Sequence, residues 1–198
     1  MAPEFRLATR ADAEAIQRIY RPIVSETAIS FETTVPSVSE IRQRIESTTE
    51  HHPWLVYEKD GAVQGYAKAG PHSGRGAYQW TVHLSVYVAD HVRNEGIGSA
   101  LYTSLFSALR LQNFVTACAV ISLPNEASVR FHERHGFEPV GVFESIGYKH
   151  GEWRDVGWWQ RSIRPNPENP TPPMPVSELV GTSQWTEAMD TGRSQLNS

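Results

Sequence analysis

The segment 86–100 joins a β-branched strand to two closely spaced glycines and the start of an amphipathic helix. Gly96 and Gly98 carry no Cβ, so the backbone there can turn tightly and approach a ligand closely. The first amide groups of a helix lack intrahelical partners, and the helix dipole favours negative charge at that end. This order of elements predicts a phosphate or pyrophosphate site, to which Arg93 could add a cation.

Two other phosphate-binding motifs do not occur in the sequence. It has no Gly-x-x-x-x-Gly-Lys-[Ser/Thr] segment and no complete Gly-x-Gly-x-x-Gly segment. A nucleoside-triphosphate loop and a dinucleotide fold are therefore not favoured. The alternative interpretation of segment 86–100 is an ordinary strand-to-helix turn that contains two convenient glycines.

Histidine is the side chain whose ordinary pKa, about 6.5, lets it exchange protons near neutral pH. His83 is a candidate general base, and strand alternation places it on one face with Ser85 and Tyr87. His132 is a second candidate, because it follows Asn125 by about two helical turns and so shares its face. The alternatives are an exposed polar strand residue for His83 and a hydrogen-bonded helix histidine for His132.

The pair His132 and His135 does not have the spacing of a zinc-protease motif. That motif needs histidines four residues apart with a glutamate directly after the first, whereas here the spacing is three and no third ligand is evident. We therefore expect no metal.

The composition indicates one globular domain. The chain has 198 residues, 39% of them hydrophobic, and a formal net charge of -4. This charge favours neither a nucleic-acid nor an anionic-membrane partner. The single cysteine, Cys118, lies in an apolar run and excludes an internal disulfide. No signal-like or membrane-spanning stretch is present, so we expect a cytoplasmic protein.

The hydrophobic pattern predicts strands and helices that position these residues. Asp60-Gly61 predicts a hairpin turn, and Thr9 and Ser37 are candidate helix caps. The predicted strands are 5–8, 54–58, 62–69, 77–88, 115–121, 137–147 and 156–163. The predicted helices are 11–24, one that begins at Ser37, 98–112, and one from Asn125 or Glu126 to His135.

The composition changes after Ile163. Six prolines occur between Pro165 and Pro175, and the remainder to Ser198 is polar. Proline-rich segments do not join helices or central strands, so we expect a folded domain over 1–163 and an extended or mobile tail over 164–198.

This order of elements resembles the GNAT N-acetyltransferase superfamily. Arg93-x-x-Gly96-x-Gly98 is similar to its acetyl-CoA loop, and the segment from Asn125 to Phe137 is similar to its second cofactor element. Four further stretches resemble the phosphinothricin and methionine sulfoximine acetyltransferases: 78–82, 85–88, 123–129 and 147–156. The resemblance covers roughly Phe5 to Ile163.

The resemblance implies an α/β (α+β) GNAT fold, a mixed central sheet flanked by helices, with acetyl-CoA as cosubstrate. The candidate catalytic residues are then His83 and His132. The candidate cofactor-binding residues are Val86, Tyr87, Val88, Arg93, Asn94, Glu95, Gly96, Ile97, Gly98, Ser99, Asn125 and Ser128. Asn125 has helix capping as its alternative role.

An acidic amino-acid analogue needs a cation for its acidic group, which Arg75 could supply as a planar two-pronged donor. The candidate substrate-binding residues are Phe31, Arg75, Tyr78 and Trp80. An exposed loop arginine and packed aromatic side chains are the alternative interpretations of these residues.

Two positions depart from the family pattern. His83 stands where the family usually has glutamate, and His132 stands where the superfamily often has tyrosine, although this second change matches the phosphinothricin branch. We expect acetyl transfer from acetyl-CoA to the α-amino group of phosphinothricin, methionine sulfoximine or a similar amine, by a homodimer. The alternatives are a different small amine, because of His83, or a non-catalytic acyl-CoA-binding module.

Overall fold

The computed structural model describes residues 3–196. Within these residues, the chain forms seven strands and five α-helices. The strands are β1 (Glu4–Leu7), β2 (Trp54–Lys59), β3 (Ala62–Pro71), β4 (Thr81–Val88), β5 (Thr116–Ser122), β6 (Glu138–Lys149) and β7 (Glu152–Ser162). The helices are α1 (Ala13–Glu26), α2 (Val38–Thr49), α3 (Ile97–Leu111), α4 (Glu126–Arg134) and α5 (Ser183–Leu196).

The strands form one mixed sheet in the order β1-β2-β3-β4-β5-β7-β6. Every neighbouring pair is antiparallel except β4 and β5, which run parallel. α1 and α2 pack together on one face of this sheet, and α3 and α5 pack together on the other. This mixed sheet between helices confirms the predicted fold class.

Local sequence signals explain where the helices begin. Ser37 caps α2, since its Oγ accepts from the Glu40 amide at 3.2 Å while the Glu40 carboxylate accepts from the Ser37 amide at 2.7 Å. This reciprocal pair satisfies two donors that the helix leaves free. α1 buries one apolar face, which includes Ile16 and Ile19.

The predicted elements match the observed ones apart from their ends. The two largest differences, of four residues each, lie at the starts of β4 and β7. β4 begins at Thr81 and not at residue 77, because Gly76–Tyr78 form a short 3₁₀ turn. β7 begins earlier than predicted, at Glu152, because it continues a tight hairpin with β6. Asp60 and Gly61 both have positive φ in the turn that joins β2 to β3.

The C-terminal segment differs in part from the expected extended or mobile tail, because residues 183–196 form α5. Trp185, Ala188 and Met189 are buried at helical spacing. The overall composition of this segment is polar, so composition alone did not indicate this apolar stripe. Gly192 allows close contact with α3, since a Cβ there would overlap the Ala100 carbonyl. Ser104 Oγ also donates to the Met189 carbonyl, at 2.9 Å.

The proline-rich stretch before α5 has no regular structure but lies against the domain. The Met174 amide donates to the Gln112 carbonyl at 2.9 Å, and Trp80 Nε1 donates to the Thr171 carbonyl at 2.8 Å. Within residues 3–196, no helix is long and apolar enough to cross a membrane.

Candidate active site

β4 and β5 pair only over their first residues and then separate. The parallel register runs from Thr81 opposite Thr116 to His83 opposite Cys118. β4 remains paired with β3 as far as Val88, and β5 with β7 as far as Ser122, so the facing edges of β4 and β5 are left open beyond this point.

The open edge of β4 exposes the backbone of Val86 and Val88. The Ala89 amide donates to the Gln64 carbonyl, so its backbone groups point toward β3. Successive residues of an antiparallel strand direct their backbone groups to opposite sides. The N–H and C=O groups of Val86 and Val88 therefore point away from β3, into the gap between β4 and β5.

A groove of about 450 Å³ occupies this gap. Glu95 does not line it, but the other predicted cofactor-binding residues do: Val86, Tyr87, Val88, Arg93, Asn94, Gly96, Ile97, Gly98, Ser99, Asn125 and Ser128. Ile23 and Ile29 add apolar surface, and Arg134 adds a cation that the sequence analysis did not select. The groove thus combines an open strand edge with a helix start.

α3 begins in the wall of the groove. Gly96 precedes it with φ of 82°, a left-handed conformation that glycine adopts without strain. The Ala100 amide donates to the Gly96 carbonyl, so the amides of Ile97, Gly98 and Ser99 precede the first intrahelical bond. These amides and the helix dipole have the arrangement that the predicted anion site requires.

α4 begins on the opposite side of the groove. Asn125 Oδ1 accepts from the Ser128 amide at 3.2 Å, so this residue does cap the helix. Its side chain also lines the groove. Both roles suggested by the sequence are therefore compatible at this position.

His132 lies in α4 with both ring nitrogens engaged. Nδ1 is 2.8 Å from the Ser128 carbonyl, which can only accept, so Nδ1 carries the proton. Nε2 then accepts from the Tyr102 hydroxyl at 3.0 Å. Burial lowers the pKa of His132, although the Ser128 bond opposes this shift. The geometry favours a neutral positioning histidine over a proton-exchanging one.

His83 lies on the face of β4 that carries Ser85 and Tyr87, as strand alternation predicts. Its Nε2 is 2.8 Å from His72 Nδ1, the two rings are nearly parallel, and Trp158 packs edge-on against both. Burial, together with the neighbouring His72, lowers the pKa of His83 to about 4. His83 is therefore neutral at pH 7 and able to accept a proton.

Residues 5–158 match the family model described as an acetyltransferase (GNAT) domain. The chain belongs to the GNAT acetyltransferase family. It is 42% identical over 177 residues to a phosphinothricin N-acetyltransferase of Streptomyces viridochromogenes, covering 89% of this chain and 94% of the relative. It is 33% identical to an L-methionine sulfoximine/L-methionine sulfone acetyltransferase of Pseudomonas aeruginosa, covering 86% of this chain and 100% of the relative.

Solved structures have the same fold as this GNAT acetyltransferase. A phosphinothricin acetyltransferase from Sinorhizobium meliloti in complex with acetyl-CoA has a TM-score of 0.80 and 32% identity, covering 89% of this chain and 99% of that one. A putative acetyltransferase of Salmonella typhimurium with its cofactor acetyl-CoA has a TM-score of 0.81 and 28% identity, covering 85% and 98%.

A second, smaller pocket of about 70 Å³ adjoins the groove of this acetyltransferase, and Tyr87 lines both. Arg44 donates to both carboxylate oxygens of Glu32, at 2.7 and 3.0 Å, and Tyr20 donates to the same carboxylate at 3.0 Å. The Arg44 hydrogen bonds lower the pKa of Glu32 despite its partial burial. Lys68 and Ser85 complete the polar part of the lining.

The turn between β6 and β7 of the acetyltransferase holds the segment that follows α1. Phe31 packs directly over Gly147, where a Cβ would overlap its ring. Lys149 Nζ donates to the Val24 carbonyl at 2.8 Å and to the Ser30 carbonyl at 2.6 Å. His150 Nε2 lies 3.1 Å from the Thr27 carbonyl. We call these contacts of Gly147, Lys149 and His150 the clamp. The clamp positions Phe31, a predicted substrate-binding residue.

We expect Lys149→Met to destabilise the acetyltransferase. Hydrogen bonds from a charged donor contribute about 1.5–3 kcal/mol, and this buried ammonium makes two. Urea unfolding should show a lower free energy of unfolding than in Lys59→Met, which changes an exposed lysine at the end of β2. Equal stability of the two variants would show that the clamp does not need the ammonium.

None of the four predicted substrate-binding residues lines the groove, and Phe31 borders a separate pocket together with Glu32 and Arg44. Arg75 and Tyr78 line a separate pocket of about 250 Å³ next to Pro173 and Met174. The Trp80 indole contacts the proline-rich segment through its bond to Thr171. One copy of the chain does not bring these side chains to the groove, so their role in substrate binding stays a prediction.

Four residues at or beside the site were not predicted from the sequence: Lys68, Arg44, His72 and Arg134. Lys68 offered one signal, a charged residue inside a strand otherwise rich in apolar residues. The other three carried no local signal, since each acquires its neighbours only through the fold. Within the described part of the chain, no cluster of three or more potential ligands could hold a metal ion.

Proposed function

We propose that this protein transfers the acetyl group of acetyl-CoA to the α-amino group of a small amino-acid analogue, such as phosphinothricin or methionine sulfoximine. The observation that carries the proposal is the gap between β4 and β5, which opens directly onto the N-terminus of α3. The names of the two curated relatives supply the substrate class.

The residues of the groove fit acetyl-CoA. The glycine-bordered start of α3 offers free amides for phosphate oxygens, and Arg93 and Arg134 are close enough to line the same groove. The open edge of β4 and the Asn125 side chain offer hydrogen-bond partners for the amide groups in the extended arm of acetyl-CoA. Acetyl-CoA supplies the activated acyl group as a thioester.

The protein must then make the amine nucleophilic, which requires removal of a proton from the ammonium form. His83 is neutral at pH 7 and is the candidate acceptor. His83 and Val86 are three residues apart on β4, about 10 Å along the strand, so water would carry the proton between the amine and the ring. Val86 N–H is a candidate donor to the carbonyl oxygen on which charge develops.

A panel of amines assayed for CoA release tests this proposal. We expect CoA to appear with phosphinothricin or methionine sulfoximine and only slowly without an amine. If CoA is released only with other amines, those amines would define the substrate class in place of phosphinothricin and methionine sulfoximine. Binding of acetyl-CoA without turnover of any amine would favour the non-catalytic acyl-CoA-binding module.

We also propose a homodimer, supported by the exposed apolar surface of β6 and β7. β6 is an edge strand, and Val140, Ile146 and Trp153 are each more than half exposed, at 65%, 56% and 65%. Contiguous apolar surface on a sheet edge is characteristic of an interface. Sedimentation velocity should give about twice the monomer mass, and a monomer at micromolar concentration would contradict the proposal.

A further inference from the structure

Lys68 is a partly buried cation without a polar partner. Its Nζ lies 4.6 Å from the centre of the Trp54 ring, and within residues 3–196 it makes no hydrogen bond or ion pair. Burial, and secondly Arg44, lower the pKa of this lysine, as expected for an ammonium held away from water. Buried charges are normally paired, so Lys68 needs an explanation.

The acidic residue next to Lys68 is already committed. Glu32 accepts two hydrogen bonds from Arg44 and one from Tyr20. The pocket holds two cations, Lys68 and Arg44, and one anion, Glu32, so its lining has an uncompensated positive charge. An anionic ligand would balance this charge.

The pocket lies beside the reaction path proposed above. Lys68 is directly opposite Ser85 in the register of β3 and β4. Ser85 is one strand repeat, about 7 Å, from both His83 and Tyr87 on the same face. Tyr87 borders both this pocket and the groove. A group in the pocket would therefore belong to a molecule whose amine lies between His83 and the groove.

We propose that Lys68 binds an oxyanion of the amine substrate, a carboxylate or a phosphinate, and thereby selects acidic amino-acid analogues. The inference rests on the proposed function. The pocket has room for one such small group and not for a whole amino acid. The ammonium and the Ser85 hydroxyl supply donors to the oxyanion, while Trp54 and Tyr66 form apolar walls.

Lys68→Met tests the proposal, with Lys59→Met as the matched control on the exposed end of β2. Three substrates separate the possible anions. Phosphinothricin carries a carboxylate and a phosphinate, methionine sulfone only the carboxylate, and methionine sulfone amide neither. Affinity is also measured by calorimetry in the presence of CoA, so that the result does not depend on turnover.

We expect Lys68→Met to raise KM and Kd roughly ten- to a hundredfold for an anionic substrate, the loss typical of one charge-assisted contact. An effect on phosphinothricin alone assigns Lys68 to the phosphinate, and equal effects on phosphinothricin and methionine sulfone assign it to the carboxylate. KM and Kd for methionine sulfone amide should change little in Lys68→Met. Lys68→Arg, which keeps the charge, should retain part of the affinity for the anionic substrates.

Unchanged constants for both anionic substrates in a folded Lys68→Met protein would overturn the assignment while leaving the proposed function intact. An equal loss for the amide would also overturn it, because that loss would reflect packing and not charge. A wild-type protein that turns over none of the three amines would instead remove the proposed function, and the assignment with it.

Discussion

Replacing His83 with alanine is expected to lower kcat/KM for the amine by about 10²–10⁴-fold, the range of general acid–base assistance. KM for acetyl-CoA should change little, because His83 does not line the groove. Steady-state kinetics from about pH 3 to pH 9 measure both effects and include the acidic limb of the profile. Full activity of His83→Ala with an unchanged pH profile would exclude His83 as the base.

The pH profile carries a second signature of His83. Its pKa is lowered to about 4, chiefly by burial. A base acts only above its pKa, so the wild-type acidic limb should fall near pH 4 and not near the ordinary histidine value of about 6.5. His83→Glu, which restores the residue usual in the family, should retain most activity.

The limb of His83→Glu should move upward, because burial disfavours the charged form of either side chain. Burial lowers a histidine pKa but raises a carboxyl pKa above its ordinary value of about 4.3. An acidic limb at lower pH than in the wild type would show that burial does not control the pKa of the side chain at position 83.

His132→Asn is the comparison variant. Both His132 nitrogens are hydrogen-bonded, to Ser128 and Tyr102. We therefore expect His132→Asn to lower the free energy of unfolding, and to lower kcat/KM less than His83→Ala does. A larger rate loss for His132→Asn than for His83→Ala, at equal stability, would transfer the proton-exchanging role to His132.

Replacing Gly98 with valine is expected to weaken acetyl-CoA binding roughly ten- to a hundredfold, the loss of at least one charge-assisted contact of about 1.5–3 kcal/mol. A Cβ at Gly98 would lie 3.4 Å from Phe131 and 3.7 Å from Val88, which is ordinary contact. The added methyl groups of valine would project further and block the approach of a phosphate to the start of α3.

The graded series Gly98→Ala and Gly98→Val therefore separates steric exclusion from loss of fold. Alanine should bind acetyl-CoA nearly as well as the wild type in calorimetry, and valine should not. Gly74→Val, in an exposed loop where a Cβ meets nothing within 4 Å, is the control. Wild-type affinity in a folded Gly98→Val protein would remove the glycine turn from cofactor binding.

The sequence by itself determined the features that depend on neighbours along the chain. Hydrophobic periodicity and capping residues predicted the order of the strands and helices from β1 to β7. The glycines at 96 and 98 predicted the tight turn at the start of α3, and the shared face of His83, Ser85 and Tyr87 followed from strand alternation. These features are local, so the residues that cause them lie within a few positions of one another.

Tertiary structure alone decided the features that depend on distant residues. The separation of β4 from β5, which opens the groove, is a property of strand pairing that neither strand encodes. His72 and His83 are eleven residues apart and meet because β3 and β4 pair. Burial, and secondly the contact with His72, give His83 its low pKa.

The positions of α5 and of Arg75 depend in the same way on distant residues. α5 was concealed by its polar composition, because its stability comes from burying Trp185 and Met189 against α3, which lies some eighty residues earlier. Arg75 carries the charge that an acidic substrate needs and stays a predicted substrate contact, but in one copy of the chain it lines another pocket, whereas Lys68 lies beside the groove. Residue type fixes which chemistry is available, whereas packing fixes where a charge is left without a partner.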